Sequence, residues 1–531
     1  MDGRKMDGRK NVLLVMADQL TATALRAYGN GVCKTPNIDA LAARGTVFEN
    51  CYSNFPLCSP SRASLLTGRL ASRLGVYDNA CEFPAQAPTI PYYLSALGYA
   101  TCLSGKMHFV GPEQLHGYQE RLTTDIYPSD FGWTPDWQQA IPVAATGVSL
   151  RSVVEAGTCK RSLQLDYDDE VVFKAEQKIR DHGRKARGQP LFLTVSFTHP
   201  HNPYVISEEY WNLYDHAAID MPRVGPLARA QLDPHSQRLH DIYKFGQYDI
   251  TPEDVRSSRH AYYAAISYVD RQLGRLLAAL DEMDMRDDTV VVFTSDHGDM
   301  LGERGLWYKW TLLEGATRIP LIIAAPGQGA ARIGEPVSLL DLLPTLVDIG
   351  SDAEHAVEAV SEREGTSLMP AVQGSAALDA GRPVFAEMAA DGAFSPCLMV
   401  RRGAWKYIHC ADDPPQLFNL VQDPDELHNR AGEAGHRTTE AELLALVNSN
   451  WSPEELKAQV EHSARQRLFI QRTRLASHFP AWDYEPRRDA SRQFVRNGAS
   501  SSATAVKGLA RYPFVAPKPP DHPDHPGHSD H

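Results

Sequence analysis

NVLLVMAD, residues 11–18, is an unbroken apolar run that stops on an acid. A strand that is apolar on both faces belongs in the middle of a parallel sheet, and its last residue emerges at the sheet's edge. The pattern recurs in LFLTVSFTHPH (191–201) and TVVVFTSDHGD (289–299), which also finish on metal-ligating residue types, and PLIIAAPG (320–327) adds a further buried strand. Between these lie helical patterns: NIDALAARG (37–45), TIPYYLSALGY (89–99), a segment near 166–182 and a long one near 252–283. Strand and helix alternating in this way predict an α/β fold with a mostly parallel central sheet flanked by helices. Ligands of such sheets bind outside the carboxyl ends of the strands, which is where Asp18, His201, Asp296 and His297 fall.

After about residue 380 the character changes. PVFAEM (383–388) and AWKYIHC (404–410) read as short strands of a small antiparallel sheet, and two helices are expected around 437–475. The chain therefore divides into a catalytic domain over 11–380, a smaller C-terminal α+β subdomain over 381–480 and an extended tail over 481–531. The Pro- and His-rich end of that tail, PKPPDHPDHPGHSDH, reads as disordered and is given no catalytic role.

The 531 residues suffice for a sizeable core, and the apolar share of 43% and charged share of 22% are ordinary for a globular protein. A net charge of −13 argues against nucleic acid as a partner. The apolar runs are strand-sized, far below the roughly 20 residues that cross a bilayer, so no membrane span is expected. The duplicated MDGRK at the start lacks the apolar stretch of a secretory signal. Eight cysteines without CxxC spacing read as reduced thiols in the cytoplasm.

One of those cysteines opens CSPSRASLLTG, residues 58–68. Alone, Cys58 reads as an inert buried residue. The full stretch resembles the sulfatase signature, Cys-x-Pro-Ser-Arg followed by an apolar segment and Thr-Gly, with its fixed positions gathered in eleven residues. The resemblance implies an alkaline phosphatase-like sulfatase in which a maturation enzyme converts Cys58 to formylglycine. One hydroxyl of the hydrated aldehyde attacks sulfur, and the other later loses its proton to expel sulfate. Arg62 would remain beside the nucleophile as a fixed cation.

Such a nucleophile needs a divalent metal to acidify its hydroxyl. By the same resemblance Asp18, Asp296 and His297, with residue 58, would hold it. Many sulfatases carry a second Asp where this chain has Gln19, and Asn or Gln where it has His297. An imidazole thus enters an otherwise oxygen shell; the family implies Ca2+, with Mn2+ the alternative. GKMH (105–108) resembles the family's Lys-x-His element, giving Lys106 to the sulfate and His108 to the nucleophilic hydroxyl. THPHNPY (198–204) resembles its Pro-His-x-Pro element and makes His201 the general acid, leaving His199 a hydrogen-bonded core histidine. Lys309, in WYKWTLLEGATRIPLII (307–323), resembles a second sulfate-binding lysine. Lys106, Lys309 and Arg62 would together clamp the anion.

The likeness narrows further. GVYDNACEFPAQAPT, the stretch 104–137, TVSFTHPHNPY, SDHGDMLGERGLWYKW and the segment 496–513 look like choline sulfatases. Choline carries a quaternary ammonium, which seeks aromatic faces and a carboxylate. Asn79, Trp133 and Glu387 match positions such a subfamily would use; the structural alternatives are a core Trp and a pairing of Glu387 with an arginine. No acid lies between Asp489 and Asp521, so the tail offers no carboxylate to a choline cation there. Choline sulfate is accordingly the expected substrate, choline feeding betaine synthesis for osmoprotection, and a dimer or tetramer is expected. Two alternatives stay open: a phosphonate monoester or phosphodiester hydrolase, or an aryl sulfatase, of the same superfamily; and an anion-binding protein in which Cys58 is never modified.

Overall fold

The computed structural model describes residues 9–127, 129–137, 146, 148–185, 188–476 and 511–512. At its centre is a nine-stranded sheet. In chain order its strands are β1 (Asn11–Asp18), β2 (Thr46–Tyr52), β3 (Ala100–Gly105), β4 (Glu120–Arg121), β5 (Leu191–Pro200), β6 (Thr289–Ser295), β7 (Arg318–Ala324), β8 (Ala331–Ile333) and β9 (Val337–Ser338). The order across the sheet is β8-β2-β7-β6-β1-β5-β3-β4, with β9 also paired to β2.

All eight residues of β1 are buried, and it lies between β5 and β6 with both pairings parallel. This is why its sequence does not alternate: neither face meets water. β7 runs antiparallel to both neighbours, β6 and β2, an orientation that an apolar run alone does not reveal. It matters, because the start of β7 then lies at the same edge as the ends of β1, β3, β5 and β6.

The predicted helix near 252–283 spans Pro252–Glu282. It begins on a capping box in which the Thr251 hydroxyl accepts from the Asp254 backbone N–H and the Asp254 carboxylate accepts from that of Thr251. Proline at the first helical position fits there because its missing N–H would have had no partner. A second long helix, Leu163–Lys185, packs against it and against β5. Among the described residues no helix is long and apolar enough to cross a membrane.

The C-terminal part contains a four-stranded antiparallel meander, β10 (Val384–Met388), β11 (Cys397–Arg402), β12 (Trp405–Cys410) and β13 (Asp413–Asn419), followed by helices Arg437–Asn450 and Pro453–Ala476. The meander is fastened beside the Cys58 segment: the Asn54 carbonyl accepts from the Glu387 N–H at 2.9 Å, and the Asn54 amide donates to the Phe385 carbonyl at 2.7 Å. Of the tail expected over 481–531, only Arg511–Tyr512 lies within the described residues, pairing with Arg161–Ser162. Residues 1–8 of the duplicated N-terminus and the His-rich end fall outside them.

Candidate active site

Four neighbouring parallel strands deliver the site. At or just past the carboxyl ends of β6, β1, β5 and β3 stand Asp296 with His297, Asp18, His201 and Lys106, in that spatial order. β2 runs in the same sense and leads to the helix Cys58–Thr67, whose first residue is Cys58. The antiparallel β7 brings the loop that holds Lys309 to the same edge.

Two glycines are required by close approach. A Cβ on Gly105 would stand 2.0 Å from the Ser196 carbonyl, and one on Gly298 would stand 2.1 Å from the Gly315 carbonyl. They explain the glycines of GKMH and SDHGD. Gln19, His108, Tyr308 and Trp310 hold φ between 55° and 69°, a left-handed conformation costly for residues with a Cβ. All four adjoin or belong to the site, and two of them flank Lys309.

The Cys58 sulfur stands where the hydroxyl oxygen of a matured residue 58 would be. Lys309 Nζ lies 3.2 Å from it, Lys106 Nζ 3.5 Å and His297 Nε2 3.3 Å. Burial alone would raise this thiol, but Lys106, Lys309 and His297 pull it well below the usual range. Such a pocket is built for negative charge at position 58. Asp18 is likewise buried, and Lys106 and Arg62 hold it ionised against the effects of burial and of the neighbouring sulfur.

Ligand atoms of Asp18, Cys58, Asp296 and His297 all lie within 4.8 Å of one another. The His297 Nδ1–H donates to the Gly298 carbonyl at 3.0 Å, so the Nε2 lone pair faces the two carboxylates at 3.8 and 3.7 Å. Gln19 adds a signal the sequence reading took only as a departure. Its amide nitrogen donates to Asp299 at 2.7 Å, while its Oε1 is buried without a hydrogen-bond partner. An orphaned acceptor next to Asp18 is costly unless a cation or donor satisfies it. Two carboxylates, one imidazole and the group on residue 58 fit a divalent cation.

Arg62 departs from expectation. Its guanidinium donates to Asp296 at 2.9 Å, to Asp18 at 3.1 Å and to Ser196 at 2.9 Å, and it also reaches the Lys106 carbonyl. Four of its five N–H donors are engaged in this way, which ties Arg62 to the carboxylates of Asp18 and Asp296. Glu387 also departs. It is buried, its oxygens accept from the Ser72 N–H at 2.6 Å and Trp451 Nε1–H at 3.0 Å, and it ties the 71–74 turn to the chain after the Arg437–Asn450 helix. Its partners are thus a backbone N–H and an indole, not the arginine weighed as its alternative, and each oxygen keeps a further lone pair.

The remaining candidates gather around residue 58. His201 Nε2 is 2.9 Å from Lys309 Nζ, and its Nδ1–H donates to the Asn202 carbonyl at 2.7 Å. Burial and the Lys309 charge lower this imidazole to about 4. His108 is held through its backbone N–H, which Asp125 accepts at 2.8 Å, and burial lowers it against the pull of the Cys58 sulfur. Trp133 meets His108 edge to face at 5.8 Å. Asn79 Oδ1 accepts from the Ser59 N–H at 2.9 Å and so satisfies the first turn of the Cys58 helix. Tyr127 was not singled out from sequence: Lys106 Nζ lies 4.3 Å over its ring, and its hydroxyl is 3.5 Å from His201 Nδ1. Asp299, in SDHGD, fixes Gln19, Tyr204 and the Tyr308 N–H. His199 sits apart, its Nδ1 on Asp168 at 2.6 Å, as a core histidine would.

The family model described as Sulfatase matches residues 10–351, that for the N-sulphoglucosamine sulphohydrolase C-terminus matches 302–451, and that for the choline sulfatase enzyme C terminal matches 458–512. The chain is 43% identical to the choline-sulfatase of Rhizobium meliloti over 95% of its own length and 99% of that protein's. It is 30% identical to human iduronate 2-sulfatase over 69% of each chain. Among solved structures, it resembles the phosphonate monoester hydrolase of Agrobacterium radiobacter with a TM-score of 0.65 and 26% identity, covering 85% of this chain and 96% of that one.

Proposed function

As a member of the sulfatase family, to which the chain belongs, it is a sulfuric ester hydrolase, and we propose that it cleaves choline sulfate to choline and inorganic sulfate. The reading is carried by Lys106 and Lys309 converging on the sulfur of Cys58 in a chain whose likeness to a choline-sulfatase runs through both the catalytic and the C-terminal segments.

With Cys58 matured to formylglycine by a maturation enzyme, residue 58 presents a hydroxyl toward Lys106, Lys309 and His297. Asp18, Asp296, His297 and Gln19 would hold one divalent cation, Ca2+ or Mn2+, which supplies acidity to that hydroxyl and offsets sulfate charge. Arg62 pairs with both carboxylates and keeps them aimed. Lys106 and Lys309 bind the sulfate oxygens and stabilise the charge that builds on them during in-line attack. The proton that leaves with choline starts on Lys309 Nζ, which donates to the His201 Nε2 lone pair, and is relayed through Nε2 to the departing oxygen, leaving Lys309 neutral at the end of the step. His108, held by Asp125, faces residue 58 and takes up the proton released there. Trp133, against His108, lends an aromatic wall to the trimethylammonium group, with Tyr127 completing the ring of aromatics. Asn79 serves by holding the first turn of the nucleophile's helix.

All eight cysteines are free and buried, which supports a cytoplasmic setting. A homo-oligomer is supported by the exposed Phe469, Ile470 and Leu475 on the last described helix.

The test is sulfate release from choline sulfate beside 4-nitrophenyl sulfate and a phosphodiester, with protein whose Cys58 conversion has been measured by mass. Preference for choline sulfate that falls selectively in Trp133→Ala, through KM, is the expected result. Turnover of the aryl ester or phosphodiester alone would leave the hydrolase chemistry and remove the choline assignment. An intact thiol at Cys58 in active protein would overturn the nucleophile.

A further inference from the structure

Outside the active site, a small cavity lies between the start of the helix Pro234–Ile242 and the open end of the C-terminal meander. Its walls include His235, Cys397, Cys410 and Asp413. Cys397 and Cys410 face one another directly across β11 and β12, and Cys410 pairs with Asp413 at the hairpin that follows. Ligand atoms of Cys397, Cys410 and Asp413 lie within 4.8 Å of one another. His235 Nδ1 is 3.8 Å from Cys397 Sγ. Donors held about 2.0–2.3 Å from one tetrahedral ion stand roughly 3.5 Å apart, so the three atoms within 4.8 Å would close around an ion, and His235, outside that set but 3.8 Å from Cys397, would turn in as the fourth ligand.

The imidazole is already in the form a metal requires. Nε2 lies 2.5 Å from the Trp310 carbonyl, which only accepts, so Nε2 carries the proton and Nδ1 turns its lone pair to the thiols. We propose that Cys397, Cys410, His235 and Asp413 form a second metal site, selective for a soft or borderline ion such as Zn2+, distinct from the harder, carboxylate-rich site at Asp18 and Asp296.

Charge supports the assignment. Arg238 grips Asp413 through both oxygens, at 2.8 and 2.5 Å, and each oxygen retains a further lone pair. Without metal, two protonated thiols and the Arg238–Asp413 pair are neutral. Entry of a divalent ion with release of both thiol protons gives two thiolates, one carboxylate, one guanidinium and the ion, again neutral, which is what a buried site demands. The thiols also explain the selectivity, since thiolate favours zinc over calcium or magnesium. The site joins the meander to the backbone of Trp310, one residue from Lys309, and so acts as a structural staple.

Co2+ followed by Zn2+ is the probe, in the full chain carrying Cys58→Ser so that no thiol remains at the catalytic centre. The expected result is a thiolate-to-cobalt charge-transfer absorption that saturates at one equivalent per chain, is abolished by stoichiometric Zn2+, and is lost in the further double substitution Cys397→Ser with Cys410→Ser. Cooperative thermal unfolding of that variant checks that it is folded, and His235→Gln, which preserves an amide to reach Trp310, should weaken cobalt binding at least tenfold. No charge-transfer band, a band that survives loss of both cysteines, or peptide mapping that finds Cys397 joined to Cys410 as a disulfide in reductant would overturn the proposal.

Discussion

Cys58 is surrounded by Lys106, Lys309 and His297 within 3.5 Å, an arrangement no single stretch of sequence contains. The signature motif names the nucleophile; only contact distances say which cations attend it. Cys58→Ala should lower turnover by more than about 10⁴-fold with the fold retained, as removal of a covalent nucleophile does, read by sulfate release and circular dichroism. Lys309→Ala should cost about 10²–10³ in kcat, the scale for one preorganised group aimed at developing charge. A change confined to KM would instead make Lys309 a ground-state binding group. Arg62 illustrates the opposite case: the motif placed an arginine beside the nucleophile, and its hydrogen bonds put it behind the metal ligands. The left-handed backbone at Tyr308 and Trp310 was also hidden, because neither residue type advertises it.

Strand ends did most to make the site legible in advance. NVLLVMAD, LFLTVSFTHPH and TVVVFTSDHGD each announce a buried strand followed by polar residues, and the three strands lie side by side. The direction of β7 was not legible, since an apolar strand reads alike in either sense. The partners of Glu387, at the end of an element that was recognised, were not legible, because Ser72 and Trp451 are remote in sequence. Burial raises its carboxyl from 4.5 to about 7, despite those two donors. The folded state therefore holds this proton more tightly than the unfolded chain does. Its stabilising contribution is fully present below about pH 4.5 and is lost as pH rises through about 7, a change of about 3 kcal/mol. Glu387→Gln should flatten that part of the stability profile and raise Tm relative to the parent at pH 8 but not at pH 5. Parallel profiles for the two proteins would show that Glu387 does not titrate there.

On the scale of the whole molecule, the last described helix is fastened by a buried ion pair to the segments that carry Asn79 and Trp133. Arg467 donates to Asp78 at 2.7 and 2.8 Å and to Thr134 at 3.0 Å, next in sequence to Asn79 and Trp133. Arg467→Ala leaves Asp78 buried without its partner and should cost about 3–5 kcal/mol in urea unfolding, whereas Asp78→Asn with Arg467→Met should recover a large part. The single substitution should also raise KM for choline sulfate; an unchanged KM would separate the helix from the substrate wall. The sequence by itself determined the α/β class, the sulfatase signature at Cys58 and the acids and histidines at the strand ends, because burial on both faces and a local signature are written in consecutive residues. Only the tertiary structure decided that Arg62 bonds to Asp18 and Asp296, that Glu387 accepts from Ser72 and Trp451, that the Gln19 oxygen is buried without a partner, and that Cys397, Cys410, Asp413 and His235 line one cavity. Each of those outcomes depends on partners distant in the chain, and hydrogen-bond satisfaction in a buried site is set by what folding brings alongside.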